Sequence, residues 1–414
     1  VTRIAAIVEG KHVVGSASEG SAVEVIFDGT PFYAEKGGQV GDTGAGAAPS
    51  GRLKINDTFS VDDVIVHRCV VKEGVVAVGD TVELEVDRAR RSDVMRHHTA
   101  THLLHSALRR TLGGHVVQSG SYVGPDKLRF DFTHHAALDG ETLLKVENLV
   151  NELVMEDLPV GVEETTYEAA RGRGVIALFG EKYGDTVRAV TIGDFSAELC
   201  GGTHVARTGQ IGLVKITDER AVGSNLRRIE AVAGGRAGEY VREKLESLSK
   251  AASELDVAPD DLPAAVRKLK KEKGELEKKI HSHDRARAER EAEIIAAKAE
   301  NAAGTRLMFH VTKDFDMEQI LAIFDTIKSR FESCAVLIGS HAGGKALLFI
   351  GFSDDLVERG MDAGSVIRVI AGIAGGGGGG SARMAQAGGK NPARLPEAVE
   401  RGRAMIMDKL RRDG

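Results

Sequence analysis

Two short runs of residues could hold a metal ion between them. His98 and His102 stand four apart in Arg96-His97-His98-Thr99-Ala100-Thr101-His102, and Cys200 and His204 stand four apart in Cys200-Gly201-Gly202-Thr203-His204. On a helix, positions i and i+4 share a face, so His98 and His102 can present two imidazoles to one point. Cys200 and His204 would add a thiolate and a third imidazole, a His₃Cys set that suits Zn²⁺. Gly201-Gly202 frees the backbone between the second two ligands. The competing interpretation is two histidines on an apolar helix and an unrelated buried Cys. Finding both pairs in one chain favours the metal.

The chemistry open to such a centre is restricted. In the zinc-protease helix the residue after the first His is a Glu that serves as general base, and here that position is Thr99. Zinc deaminases require a different Cys spacing. What remains is a metal that fixes the site and polarises an ester or a water. Four protein ligands would close a tetrahedral shell, whereas catalytic zinc keeps a position open. Either one ligand is labile, or the shell expands, or the metal mainly anchors the substrate. His105, seven residues after His98, is a spare ligand, a hydrogen-bond donor behind the ligands or a partly buried core His.

The elements that must position these residues change character along the chain. Residues 1–90 carry β-rich stretches at Ala22–Phe27 and Val61–Val71 and strict alternation over Thr81–Val86, with glycines 37, 38, 41, 44 and 46 in loops. A small β-barrel-like part is the natural result. Residues 91–237 mix helices (Arg91 to about Leu112, Glu141–Glu156) with strands (His115–Val123, Lys127–Phe132, Val187–Ile192), an α/β metal-binding core. Over 238–304, Val241, Leu245, Leu248, Ala252 and Leu255 follow heptad spacing. After a Pro/Asp-rich break, Val266, Leu269, Leu276 and Ile280 continue it, giving a helical hairpin or coiled coil. Residues 305–414 alternate again into a small Gly-rich α/β domain, with helices at Met317–Phe331 and Ala363–Ile373 and a last helix near Leu395–Arg411. The whole is an α+β protein.

Composition bounds the setting. The 414 residues are 42% hydrophobic, and no apolar run reaches the length of a membrane span. Cys69, Cys200 and Cys334 are odd in number and widely spaced, which argues against a disulfide framework and for a reducing, cytoplasmic location. The chain opens Val1-Thr2-Arg3 without a signal-peptide pattern or initiator Met, as a piece of a longer chain would. A net charge of −6 does not advertise nucleic-acid binding, but residues 383–414 hold eight Lys/Arg against four Asp/Glu, a local surplus of +4. Just before them, the Gly375–Gly380 run reads as a loop whose N–H groups could converge on phosphate, or as a flexible linker.

His-Thr-Ala-Thr-His and the stretch from Gly193 to His204 resemble the editing domain of alanyl-tRNA synthetase. The likeness extends to Thr30–Gly44, Ala177–Tyr183, Arg227–Ala231, the Gly375–Gly380 run and Met384–Gly389, nearly the whole chain. The resemblance implies Zn²⁺ on His98, His102, Cys200 and His204, and hydrolysis of serine or glycine wrongly esterified to tRNA(Ala). It implies a tRNA-binding role for the C-terminal domain, with a homodimer through that domain as a further partner. Thr30 matches a position associated with hydroxyl recognition and Gln118 one needed for editing. Their plainer roles are a turn Thr before Pro31 and a strand Gln facing water. Gly29 departs from the family, which commonly has a basic residue there. With Gln118 and Thr30, the resemblance makes His98 and Cys200 the residues expected at the chemistry. The ATP-dependent aminoacylation half is not expected within these residues. The alternatives are a freestanding deacylase of the same superfamily and a non-catalytic tRNA-binding or dimerisation module with structural zinc.

Overall fold

The computed structural model describes residues 1–177 and 184–412, and the chain divides into two compact units, Val1–Glu254 and Leu255–Gly414. Most of the Ala177–Tyr183 motif lies outside the described residues. The first unit opens with eight strands: β1 (Thr2–Glu9), β2 (His12–Val14), β3 (Ser16–Ser18), β4 (Ala22–Phe27), β5 (Gly44–Ala48), β6 (Gly51–Val61), β7 (Val64–Ala77) and β8 (Thr81–Val86). They pair antiparallel in the order β2-β1-β4-β7-β6-β5-β8, with β3 on β7, and β8 pairs back onto β1. Alternation drives this arrangement: Val23, Val25 and Phe27 of β4 and Leu53 and Ile55 of β6 enter one core with Ile4, Ile7 and Val82.

Two local expectations need correcting. The β-rich stretch Val61–Val71 is not one strand: β6 and β7 meet at Asp62-Asp63, whose φ values of 45° and 67° make a tight hairpin turn. Asp tolerates this left-handed backbone, and apolar patterning gives no sign of it. Gly44 and Gly46 lie inside β5 instead of in a loop. A Cβ on Gly44 would meet the Phe32 ring and the β8 backbone, so the strand can pass there only without a side chain.

Helix α1 (Arg88–Leu112) follows, capped by the Asp87 carboxylate on the Arg90 N–H at 3.0 Å and closed by Gly113. Every residue from His97 to Leu108 is buried. A surface helix has one apolar stripe; α1 instead runs through the middle of the unit, and its polar residues must find partners inside. After it come β9 (Gln118–Val123), β10 (Leu128–Thr133), α2 (Gly140–Met155), β11 (Val160–Thr166), α3 (Tyr167–Gly172), β12 (Thr186–Ile192), β13 (Ser196–Leu199), β14 (Val214–Gly223), β15 (Leu226–Ala233) and α4 (Gly235–Ser253). They form a four-stranded sheet, β14-β15-β10-β9, and a three-stranded one, β11-β12-β13. Ala100, Leu103, Leu104 and Leu108 of α1 pack with Phe130, Phe132, Val146 and Val150. The strand expected from His115 begins only at Gln118. Thr133 holds the preceding residues as a loop, accepting the Val117 N–H at 3.0 Å and donating to the His115 carbonyl at 2.6 Å.

The second unit begins with α5 (Leu262–Ala297), so the two heptad-bearing helices form but belong to different units. Leu269, Leu276 and Ile280 of its seam are exposed. Then come β16 (Glu300–Ala302), β17 (Thr305–Lys313), α6 (Met317–Lys328), β18 (Cys334–Ala342), β19 (Lys345–Phe352), α7 (Asp354–Glu358), α8 (Ala363–Ile373), β20 (Gly376–Gly380), β21 (Met384–Gly389) and α9 (Leu395–Arg412). The sheet order is β16-β17-β18-β19-β21-β20; β17 and β18 run parallel around α6 and the other pairs antiparallel. The glycine run is therefore neither linker nor loop but the edge strand β20, hydrogen-bonded to β21. At Gly376 and Gly378 a Cβ would strike the backbone of β21, so the close pairing itself demands glycine. No helix among the described residues is long and apolar enough to cross a membrane.

Candidate metal centre and its cleft

His98 and His102 project from one face of α1 with their rings stacked, centroids 5.3 Å apart. The β12–β13 hairpin delivers the Cys200–His204 loop opposite them. Arg188 of β12 holds that loop in place, donating to the carbonyls of Cys200 at 2.9 Å and Gly202 at 2.6 Å. Gly202 is required at its position, because a Cβ there would overlap the His98 ring and Gln39 Oε1. The Cys200 Sγ lies 3.3 Å from both His98 Nε2 and His204 Nε2. The four candidate ligand atoms of His98, His102, Cys200 and His204 all fall within 4.8 Å of one another.

Hydrogen bonds behind the ligands set their tautomers. His98 Nδ1 meets Gln39 Oε1 at 2.6 Å, and that oxygen also accepts the Thr203 N–H at 2.9 Å. His102 Nδ1 meets Glu198 Oε2 at 2.8 Å. His204 Nδ1 lies 3.2 Å from Thr99 Oγ1, whose own proton goes to the Met95 carbonyl at 2.9 Å. Each of these oxygens is an acceptor, so each Nδ1 carries the proton and each Nε2 turns a lone pair toward Cys200. His102 Nε2 is buried without a partner among the described residues, a state a metal bond would resolve. Burial alone would raise the Cys200 thiol, but the attraction of the His98 and His102 rings, when they carry protons in the ion-free centre, lowers its pKa well below the ordinary value; a bound cation would take over that positive charge and hold the thiolate, leaving the rings neutral. Tetrahedral zinc places nitrogen and sulfur ligands roughly 3.3–3.8 Å apart, so the donor set fits this ion with small side-chain adjustments.

Three residues that support the centre were not singled out from sequence: Gln39, Glu198 and Arg188. His105 falls outside the four-residue group; its Nδ1 shares Glu198 with His102, at 3.0 Å to Oε1, and its Nε2 is likewise buried without a partner among the described residues. His97 is structural, bridging the Gly124 carbonyl at 2.8 Å and the Ala233 N–H at 3.0 Å. The Thr30–Gly44 segment matters because it carries Gln39 and Tyr33. Asp42 ties it to α1, accepting the Tyr33 N–H at 2.6 Å and pairing with Arg91.

A cleft of about 230 Å³ opens onto His98, His102 and Cys200, walled also by Tyr33, Lys36, Gln118, Ser121 and Arg188. Gln118 thus forms part of the cleft wall, its amide donating to Ser121 Oγ at 3.2 Å. Thr30 is not in the cleft wall. Its hydroxyl lies 2.9 Å from His67 Nε2 and accepts the Phe32 N–H at 3.1 Å, the turn role open to it from sequence. His67 is buried, with Nδ1 3.2 Å from the Val25 carbonyl, and burial lowers its pKa to about 4. The unfolded chain therefore takes up this proton first as pH falls. The stability His67 supplies is complete above about pH 6.5 and lost progressively down to about pH 4, some 3 kcal/mol in all. Urea unfolding at both pH values should show wild type losing more stability on acidification than His67→Gln; equal losses would exclude this role.

Three family profiles match the chain: "tRNA synthetases class II (A)" over residues 1–90, "Threonyl and Alanyl tRNA synthetase second additional domain" over 187–230, and "DHHA1 domain" over 304–408. Arg188, Glu198, Cys200 and His204 all fall in the second stretch. The alanine–tRNA ligase of Pelotomaculum thermopropionicum is 42% identical over 410 residues, 99% of this chain and 47% of that protein. That of Acetivibrio thermocellus is 41% identical over 409 residues, 99% of this chain and 46% of that protein. The chain spans about half the length of the curated relatives it matches. The crystal structure of the C-Ala domain from Aquifex aeolicus alanyl-tRNA synthetase is 33% identical, covering 27% of this chain and 97% of that one with a TM-score of 0.24.

Proposed function

The chain belongs to the alanyl-tRNA synthetase family, and from that premise we propose that Val1–Glu254 deacylates tRNA(Ala) mischarged with serine or glycine, in the cytoplasm, while the C-terminal unit holds the tRNA. One observation carries this: the four convergent ligands sit at the end of a cleft whose other walls offer Lys36, Arg188 and the Gln118 amide. His98, His102, Cys200 and His204 would hold Zn²⁺, which when bound supplies Lewis-acid polarisation of an ester carbonyl or a water. Lys36 and Arg188 complement the phosphate-bearing end of a charged tRNA. Gln118, steadied by Ser121, offers an amide to the aminoacyl group, and Thr30 steadies the turn that leads into Tyr33 and Gln39.

Such a site answers a limit on recognition. A pocket built for alanine cannot exclude the smaller glycine, since one methyl is worth only about 1–3 kcal/mol, and it rejects an added hydroxyl poorly. A second, hydrolytic sieve restores the discrimination. For the C-terminal unit the support is the DHHA1 match and the basic segment after Arg383. Several of those cations are already paired, Arg383 with Asp354, Arg394 with Glu397, Arg403 with Glu300 and Arg412 with Asp408. Lys390, Arg401 and Arg411 are the ones assigned to phosphate. The barrel-like closure of 1–90, the hairpin or coiled coil of 238–304 and a homodimer through residues 305–414 complete the proposed architecture.

The closed four-ligand set also suits a purely structural zinc in a non-catalytic tRNA-binding module. Serine release from seryl-tRNA(Ala) by wild type and Gln118→Ala, with tRNA binding measured alongside over a range of salt, separates the two. The deacylase reading expects wild type to release serine, and Gln118→Ala to lose release while keeping affinity and its salt slope, because phosphate contacts supply most of the binding. Binding without any serine release would leave the structural module.

A further inference from the structure

A second group of histidines lies away from the Cys200 cluster and shares none of its residues. We propose that His115, His134 and His135 form a surface site for a borderline divalent transition ion of the Zn²⁺, Ni²⁺ or Cu²⁺ class. Their candidate ligand nitrogens all lie within 4.8 Å of one another, and His115 Nε2 is 2.9 Å from His134 Nδ1. The ring centroids are 5.1 Å apart for His115 and His134, and 4.7 Å for His134 and His135. Adjacent residues on a strand point to opposite faces. His134 and His135 escape that rule because β10 ends at Thr133 and the chain bends at His135, which turns both rings to one side.

The backbone beneath the rings is fixed. Thr133 bonds the His115 carbonyl and the Val117 N–H, the Thr133 N–H reaches the Val117 carbonyl at 3.0 Å, and the His134 N–H reaches the Asn225 carbonyl at 3.0 Å. The three rings are therefore held together by structure that exists without a metal, which limits the ordering a metal must impose. Arg227, the nearby cation, is taken up by Glu219 through contacts of 2.5 and 2.7 Å, so its charge opposes a metal less. With only nitrogen donors and exposed outer rings, the site suits imidazole-binding ions and leaves positions for solvent. Occupancy would tie the loop that begins three residues before Gln118 to the end of β10, stiffening one wall of the cleft.

The test is equilibrium dialysis of the full chain against Zn²⁺, using wild type, Cys200→Ala and the double variant His115→Ala/His135→Ala. Wild type should bind one equivalent more than either of the others, and the equivalent left in Cys200→Ala should disappear when the two histidine changes are added. Loss of ligands should weaken this site by more than the roughly 10–100-fold that removal of an outer hydrogen-bond partner costs. In parallel, Zn²⁺ added to Cys200→Ala, which keeps all three histidines, should shift the ring-proton NMR signals of His115, His134 and His135 together. Unchanged ring signals in that protein, or equal stoichiometry and affinity in the double variant and wild type, would overturn the assignment.

Discussion

Cys200→Ala should yield protein that lacks zinc at the His98 centre and has lost serine release by more than about 100-fold, beyond the cost of altering an outer partner. The Cys200 Sγ is the atom that both His98 Nε2 and His204 Nε2 approach at 3.3 Å. Without it, three imidazoles face one another around a buried space with no anionic donor. The neutral tautomers set by Gln39, Glu198 and Thr99 would remain, but a divalent ion would lose the only charge among its ligands. Affinity for tRNA should stay within about twofold, because it rests on phosphate contacts elsewhere. Cys200→Ser separates shape from charge: it keeps a small polar group but no ready thiolate, and should behave like the Ala variant. Metal analysis and single-turnover deacylation decide the matter. Wild-type zinc content and serine release in Cys200→Ala would remove Cys200 from the site.

The four candidate ligands were legible as two pairs because short-range rules govern them. Four-residue spacing on a helix and a Cys-to-His span over two glycines place pairs of donors before any tertiary contact forms. The groups that make the ligands usable were not legible in the same way. Gln39 reaches His98 across 59 positions, and Glu198 reaches His102 across 96. Glu198 lies inside the Gly193–His204 motif, yet nothing in its spacing marks it off from a solvent-facing strand residue. The second histidine group was hidden for the same reason, His115 and His134 being 19 positions apart and brought together by the Thr133 bonds to His115 and Val117 beyond the β9–β10 ladder. Periodicity found most strands and helices but failed where side chains carry no pattern. Gly376–Gly380 offers no alternation at all, and Asp62-Asp63 turns the chain inside a run that is apolar on both sides. The long polar helix α1 is the converse case: its histidines and threonines weaken the apolar stripe because they are buried for the site, not exposed to water.

Glu198 should prove as costly to remove as a ligand, in stability as well as in metal affinity. It is almost fully buried, and its two oxygens are shared between His102 Nδ1 at 2.8 Å and His105 Nδ1 at 3.0 Å, with Ser196 Oγ at 3.2 Å. Burial alone would raise its pKa, but His102 and His105 hold it well below the usual carboxylate range, so it is ionised at any working pH. Glu198→Ala strands two buried N–H donors and leaves the imidazoles without the charge that orients them, a change of about 3–5 kcal/mol in the first unit. The same loss frees His102 to turn its proton toward Cys200, so zinc affinity should fall about 10–100-fold. Glu198→Gln keeps one carbonyl oxygen but sets an NH₂ against the second imidazole donor, and should recover part of the stability with little of the metal affinity. His105→Leu provides the contrast, since it removes one donor and leaves the His102–Glu198 bond intact. It should lower stability less than Glu198→Ala and leave zinc affinity close to wild type. Denaturant unfolding with and without chelator, beside competition titrations of zinc, measures both quantities. If Glu198→Ala unfolds within about 1 kcal/mol of wild type and binds zinc as tightly, the carboxylate is incidental to the centre.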